Sequence, residues 1–266
     1  MRRIQSLSFK NMLIDLIQTD PKLKFYYTTK FPHSKYNLSN IIDDILYILK
    51  TGIAWRSIRS TINYNTIYWH FQRFIKYNIF KKLYTKILNN YCYNRRDNLY
   101  IQIIDSTFIL NKCGKNKIAR NKYFRNKNCN KISVVTDIQG IPLSVICGVG
   151  NLHDITFFDK HLSDICILSK RYKIQPTYIL FDKAYESKLL RSKCSTEGIV
   201  ALIPKKKNSK STYYFDKDIY KHRPIIENMF AKLKQYRRVM IRYESYINNY
   251  IGFIHLAMSQ ITHSHI

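Results

Sequence analysis

From Leu38 to Leu49 the apolar residues fall at positions 38, 41, 42, 45, 46, 48 and 49. Steps of three and four return to one side of a helix, so the stretch predicts an amphipathic helix, with Gly52 placed to end it in a left-handed turn. A second helix is predicted from Thr66 to about Tyr77, capped by Asn65. Its aromatic positions, Tyr68, Phe71 and Phe74, mix with His70, Gln72, Arg73 and Lys76. A short segment with Trp55 and Arg56 lies between the two, and Trp55 reads as a core residue. Helix, tight connection and basic helix are compatible with a helix-turn-helix in which Arg73 meets DNA, and equally with a plain three-helix bundle. Residues 1–95 thus read as a helical N-terminal region for DNA binding or oligomerisation.

From about residue 98 the period changes. Tyr100–Ile104 is a short apolar run ending at Asp105. Residues 131–137 and 141–147 flank a turn at 137–140 and predict a hairpin, with Pro142 at an edge or at a strand start. Tyr178–Phe181 ends at Asp182, and Ile199–Ile203 is stopped by Pro204. Helical segments fit at 157–170, 186–195 and 224–236. The order is three strands, then helix, strand, helix, strand, helix. It matches a ribonuclease H-like α/β domain over residues 96–266: a mixed sheet flanked by helices. Gly114, Gly140, Gly148 and Gly150 form neither a dinucleotide nor a P-loop fingerprint.

Charge sharpens this picture. Lys and Arg number 45 against 17 Asp and Glu, a formal net charge of +28. Such a surplus repels itself and calls for a polyanionic partner, nucleic acid before a membrane surface. No apolar run reaches the ~18 residues of a membrane span, and no signal-peptide core follows Met1. The expectation is a protein that stays inside the cell, at DNA. The six cysteines, none spaced as C-x-x-C, read as reduced and structural.

Asp105 and Asp182 each close an apolar strand-like run, and strand carboxyl ends are where α/β sheets bind ligands. In a ribonuclease H-like order their strands lie side by side. Two adjacent carboxylates repel unless a cation intervenes. Glu227, on the last predicted helix, offers a third carboxylate, and such a trio can hold two divalent ions ~3.5–4 Å apart. The plain alternatives are a turn aspartate, a helix cap and a surface Arg223–Glu227 pair. His153 and Asp154 read either as groups that assist the site or, more simply, as a satisfied structural histidine and its neighbour at a strand-to-helix turn. Lys205, Lys206, Lys207 and Lys210 read as a DNA-facing loop or a solvated charge run. The basic segment 112–131 reads as a loop that can grip DNA and order on it.

These motifs together resemble a known family. Ile104–Thr107, then Phe181–Ser187, then Tyr220, Arg223, Glu227 and Lys234 at spacings of three, four and seven are similar to the three acidic motifs of insertion-sequence-five-like DDE transposases. Gly148–Thr156 and the blocks 45–55 and 66–74 also resemble theirs, so the likeness runs from about Leu38 to Leu256. It implies catalysis and metal binding by Asp105, Asp182 and Glu227, with Mg²⁺ or in its place Mn²⁺. It implies DNA contacts by Tyr220, Arg223, Lys234, Arg237 and Arg238. It implies phosphodiester hydrolysis at element ends, strand transfer into target DNA, double-stranded DNA as partner, and at least a dimer. By the same resemblance the setting would be a bacterial cytoplasm or nucleoid, or the nucleus or viral factory of a eukaryotic host. Two rivals stand: a silent or domesticated DNA-binding protein, and a nuclease without strand transfer. The chain departs from the pattern at 115–131, where asparagine replaces glycine and serine, and over residues 1–37. The 45 residues from Asp182 to Glu227 leave no room for the large β-insertion of some relatives.

Overall fold

The computed structural model describes residues 8–27, 36–174, 176–205 and 213–266. Five helices come first: α1 (Phe9–Thr19), α2 (Lys24–Tyr27), α3 (Leu38–Thr51), α4 (Tyr64–Lys76) and α5 (Ile79–Asn94). α3 forms where the apolar stripe predicts it. The Asn37 side chain accepts from the Ser39 amide, Gly52 closes the helix at φ 70°, and Ile41, Ile42, Ile45, Ile48 and Leu49 are buried. α4 starts two residues earlier than expected, because its cap is Asn63, which accepts from the Asn65 amide.

The sheet follows. β1 (Ile101–Asn111) pairs antiparallel with β3 (Lys127–Asp137), which pairs antiparallel with β4 (Pro142–Val149). After α6 (Phe158–Tyr172), β5 (Tyr178–Leu180) joins the other side of β1 in parallel. After α7 (Lys188–Thr196), β6 (Val200–Leu202) extends the sheet in parallel. The order β4-β3-β1-β5-β6, with only β3 reversed against its neighbours, is the ribonuclease H-like order expected from the sequence. Pro142 opens β4, which pairs only with β3, so the missing amide disturbs no central ladder. Two short strands, β2 (Ala119–Asn121) and β7 (Ile241–Arg242), lengthen the far ends of β3 and β1. The remaining helices are α8 (Lys217–Tyr220), α9 (Ile225–Lys234), α10 (Arg237–Met240) and α11 (Ile247–His263).

β1 is longer than the sequence suggested. Its apolar run stops at Asp105, but the strand continues to Asn111, paired with β3 as far as Leu110 and with β7 at Leu110 and Asn111. Residues 105–108 are half-buried because they line an open site, so a break in hydrophobicity does not end the strand. Of the segment 112–131, expected as a loop, residues 119–131 form a hairpin of β2 and β3.

α11 ties the two regions together. It packs on α5 and α4 on one side and on α9 and β4 on the other. The buried side chains before and after residue 95 therefore form one continuous cluster. No helix among the described residues is long and apolar enough to cross a membrane. Close packing also sets a tight spot behind β3. A Cβ added at Gly150 would lie 2.2 Å from Cys129 Sγ and 2.7 Å from its carbonyl oxygen. Gly150→Ala should lower stability by ~1–3 kcal/mol, read from the midpoint of urea unfolding.

Candidate active site

The ladder between β1 and β5 sets the level of two acids. Its rungs pair Ile101 with Tyr178, Gln102 with Ile179 and Ile103 with Leu180, each 77 residues apart. Asp105 and Asp182 are also 77 apart, so both stand two residues past the last rung. Asp182 follows the end of β5, where its Oδ1 accepts from the Lys183 amide at 2.6 Å and caps a single turn, 183–185. The capping alternative and the candidate-site placement are thus compatible.

Arg223 links this pair to α9. Pro224 starts that helix, and Ile226, Met229, Phe230 and Leu233 bury its inner face. Arg223 Nη2 donates to Asp105 Oδ2 at 2.7 Å, and Nη1 pairs with Glu227 Oε1 one turn along. Tyr220 donates from its hydroxyl to the Phe181 carbonyl at 3.0 Å, pinning α8 over the end of β5.

Burial dominates the electrostatics of Asp105. It raises the carboxyl from an ordinary 3.8 to about 6. The Arg223 cation and the Ser106 amide oppose the rise, while the charges of Asp182 and Asp154 add to it. Asp154 accepts from Ser106 Oγ and pairs with Lys131 Nζ at 3.0 Å. His153 caps the turn that carries it. That buried Lys131 holds Asp154 across 23 residues is not marked by any motif. Nor does the sequence single out Tyr185, which lies beneath the same acids and whose hydroxyl is pushed well above its usual range by burial, with Asp154 and Asp105 contributing. Its place three residues after Asp182 was the available signal.

The donors are carboxylate oxygens, without thiolate or imidazole, and that chemistry suits a hard divalent ion such as Mg²⁺ or Mn²⁺. The Arg223 guanidinium spans Asp105 and Glu227, supplying positive charge between them. Glu227 turns toward Arg223 and is 63% exposed. Among the described residues no three His, Cys, Asp or Glu side chains are grouped as a metal cage.

The other expected DNA contacts separate by burial. Lys205 and Arg237 are exposed, while Lys206 and Lys207 lie outside the described residues. Lys234 is half-buried, and burial lowers its pKa. Arg238 requires a correction: it is 4% exposed, ion-paired with Glu244, and donates to the Ile53 carbonyl, so it is a core cation and no phosphate grip. Arg73 is half-buried and sandwiched between exposed rings. Its guanidinium lies 3.6 Å over the Tyr26 ring and 4.4 Å over Trp69, and its Nε is buried without a partner. Trp55 is half-buried against Tyr68, Phe71 and Phe253, in keeping with a core role.

A sheet in this order places the protein in the ribonuclease H-like class. Within that class, residues 97–261 match the family described as the transposase DDE domain; the chain belongs to that family and is a DDE transposase of the insertion-sequence type. A protein of Brucella ovis named as a transposase for insertion sequence element IS6501 is 30% identical over 132 residues, 49% of this chain and 95% of that one. A protein of Burkholderia cepacia named as a transposase for IS402 is 27% identical over 157 residues, 58% of this chain and 70% of that one. Among solved structures, the Mos1 transposase paired-end complex with the left transposon end is a distant likeness. It has 15% identity and a TM-score of 0.36, covering 67% of this chain and 58% of the Mos1 chain.

Proposed function

We propose that this chain cuts a phosphodiester at the ends of its mobile element and joins the freed 3′-hydroxyl to target DNA, with Asp105, Asp182 and Glu227 as the metal-holding acids. The observation that carries the reading is the equal register of Asp105 and Asp182, with Arg223 spanning from Asp105 to Glu227. Bound divalent ions, Mg²⁺ or in its place Mn²⁺, would activate the attacking water in the cut and the freed 3′-hydroxyl in the joining, and offset charge on the leaving oxygen. Asp105 and Asp182 would hold them, and Glu227 would turn from Arg223 to complete the set. Arg223, released from Asp105, has the planar fork that suits a phosphate. Tyr220 holds α8 against the Phe181 carbonyl and so keeps that arginine near the cut. Lys234, Arg237 and Lys205 add point charges along the DNA path. The partners are double-stranded DNA of the element ends and target, and at least one further copy of the chain. The protein would act wherever its host keeps that DNA.

The test is incubation with Mg²⁺ and a duplex carrying the inverted repeats that flank the gene, plus a supercoiled target. Cut ends joined to target support the reading. Cutting without joining reduces the protein to a nuclease, and binding without cutting to a silent DNA-binding protein.

The charge of +28 makes a separate expectation. Binding through ~6–10 phosphates should lose ~10³–10⁵ in affinity between ~50 and ~200 mM salt. Lys234 has no ion-pair partner among the described residues. Lys234→Ala should reduce the slope of log affinity against log salt by about one phosphate's worth, equally on specific and random duplexes in a mobility-shift series.

A further inference from the structure

The tip of the β2–β3 hairpin presents one aromatic ring to solvent while anchoring the next. Tyr123 is 87% exposed, the largest exposure among the exposed large apolar and aromatic side chains of the described residues. Its neighbour Phe124 is stacked on Phe108 of β1 with ring centroids 5.5 Å apart, three residues beyond Asp105. Lys131 Nζ lies 4.8 Å over that same Phe108 ring. Asn121 completes the anchor: its Oδ1 accepts from the Tyr123 amide at 2.8 Å, and its Nδ2 donates to the Gly150 carbonyl at 2.7 Å. Arg125 and Asn126 then turn the chain with φ 53° each, a conformation that disfavours side chains other than Gly and concentrates where function requires it. The tip is therefore a held shape with Tyr123 projecting from it.

The charge around the ring is one-sided. Arg120, Lys122, Arg125 and Lys127 are all exposed. None has an ion-pair partner among the described residues. No acidic residue occurs in the sequence between Asp105 and Asp137. Four unpaired cations alone would fit any phosphate backbone. A rigidly presented aromatic face among them fits something more specific, since cationic grooves with aromatic platforms bind nucleic acid whose bases are free to stack. In an intact duplex the base faces are already covered. Only an unpaired or terminal base offers one.

We propose that Tyr123 is a stacking platform for an unpaired base of the DNA beside the cut, with the four cations holding the flanking phosphates. This rests on the transposase reading and adds to it a preference for distorted or nicked DNA. The step is non-covalent.

The full chain is tested against two probes without added metal: a blunt duplex, and the same duplex with 2-aminopurine at an unpaired position. Tyr123→Ala should weaken binding to the unpaired probe by about 5- to 150-fold. It should change blunt-duplex binding by no more than about twofold. Tyr123→Trp should keep the preference, and 2-aminopurine quenching should disappear only in the alanine variant. The side chain is exposed, so thermal unfolding of all three proteins should coincide. Equal affinities of Tyr123→Ala and parent on the unpaired probe, or an equal loss on both probes, would overturn the proposal. The transposase reading fails separately: a parent protein that prefers the unpaired probe yet never cuts element ends with Mg²⁺ leaves the platform standing and removes the activity.

Discussion

Asp105→Asn should abolish DNA cleavage and, at neutral pH, make the protein more stable. The two effects share one cause. Burial holds the Asp105 carboxyl at about 6, against an ordinary 3.8, even with Arg223 beside it. A carboxyl that keeps its proton longer in the fold than in the open chain loses stability for the fold as pH rises from about 4 to about 6. That loss is fully present above pH 6. A gap of ~2 pKa units corresponds to ~3 kcal/mol at most. Asparagine resembles the protonated form and carries no charge to desolvate. The variant should therefore gain ~1–3 kcal/mol at pH 7, or ~2–10 °C in melting temperature, and the gain should vanish near pH 4. Cleavage should fall by at least ~1,000-fold, ~4 kcal/mol of barrier, because a ligand oxygen for the divalent ion is gone. Asp182→Asn should lose cleavage to the same degree. DNA binding should persist or strengthen in both, since each removes a negative charge that faces phosphate. In the parent, divalent-ion binding should weaken as pH falls through about 6, because the proton that the metal-free Asp105 takes up there competes with the metal. A calorimetric series from pH 4 to 8 beside a cleavage assay reads both halves. Parent-like cutting by Asp105→Asn would remove Asp105 from the chemistry, and an unchanged melting temperature would mean that its burial costs nothing.

How much of this was legible in the sequence depends on what each segment faces. The strands that form the centre of the sheet are covered on both sides, so 100–104 and 178–181 read as apolar runs, and the order of the strands and helices pointed to the fold class. α3 read cleanly because one side meets the core and the other meets water. α11 did not read at all. Tyr250, Phe253, Ile254, Leu256, Ala257, Met258 and Ile261 are buried around most of its circumference, together with Asn249, Ser259 and Thr262. A helix enclosed by α5, α4, α9 and β4 has no polar stripe to announce its period. The second half of β1 was missed for the opposite reason, since residues 105–108 line an open site and carry Asp, Ser and Thr. Asp105 and Glu227 could be named from their motifs, but Arg223 as the bridge between them could not. That depends on a contact across 118 residues, which spacing along one helix does not encode.

Arg237 and Arg238 show the same limit and allow a sharp test. Side by side in a basic stretch, both resemble DNA contacts. The fold separates them by burial: Arg237 is exposed, and Arg238 is 4% exposed. Arg238 Nε donates to Glu244 Oε1 at 2.9 Å, its Nη1 donates to the Ile53 carbonyl at 3.3 Å, and Trp55 Nε1 donates to the same Glu244 oxygen at 3.3 Å. The pair thus fastens the segment after α3 to α10 and the residues that follow it. Removing one member of a buried pair strands the other charge without water, which costs ~3–5 kcal/mol. Glu244→Ala and Arg238→Ala should each lower stability by that amount, read from urea unfolding. Replacing both together by apolar residues should recover much of the loss, because no lone charge remains. Arg237→Ala should leave stability within ~0.5 kcal/mol and instead weaken DNA binding at low salt by about one phosphate contact. An Arg238→Ala protein as stable as the parent, but deficient in DNA binding, would return Arg238 to the DNA surface. It would also mean that the contact between the N-terminal helices and the strand region is weaker than the shared core implies.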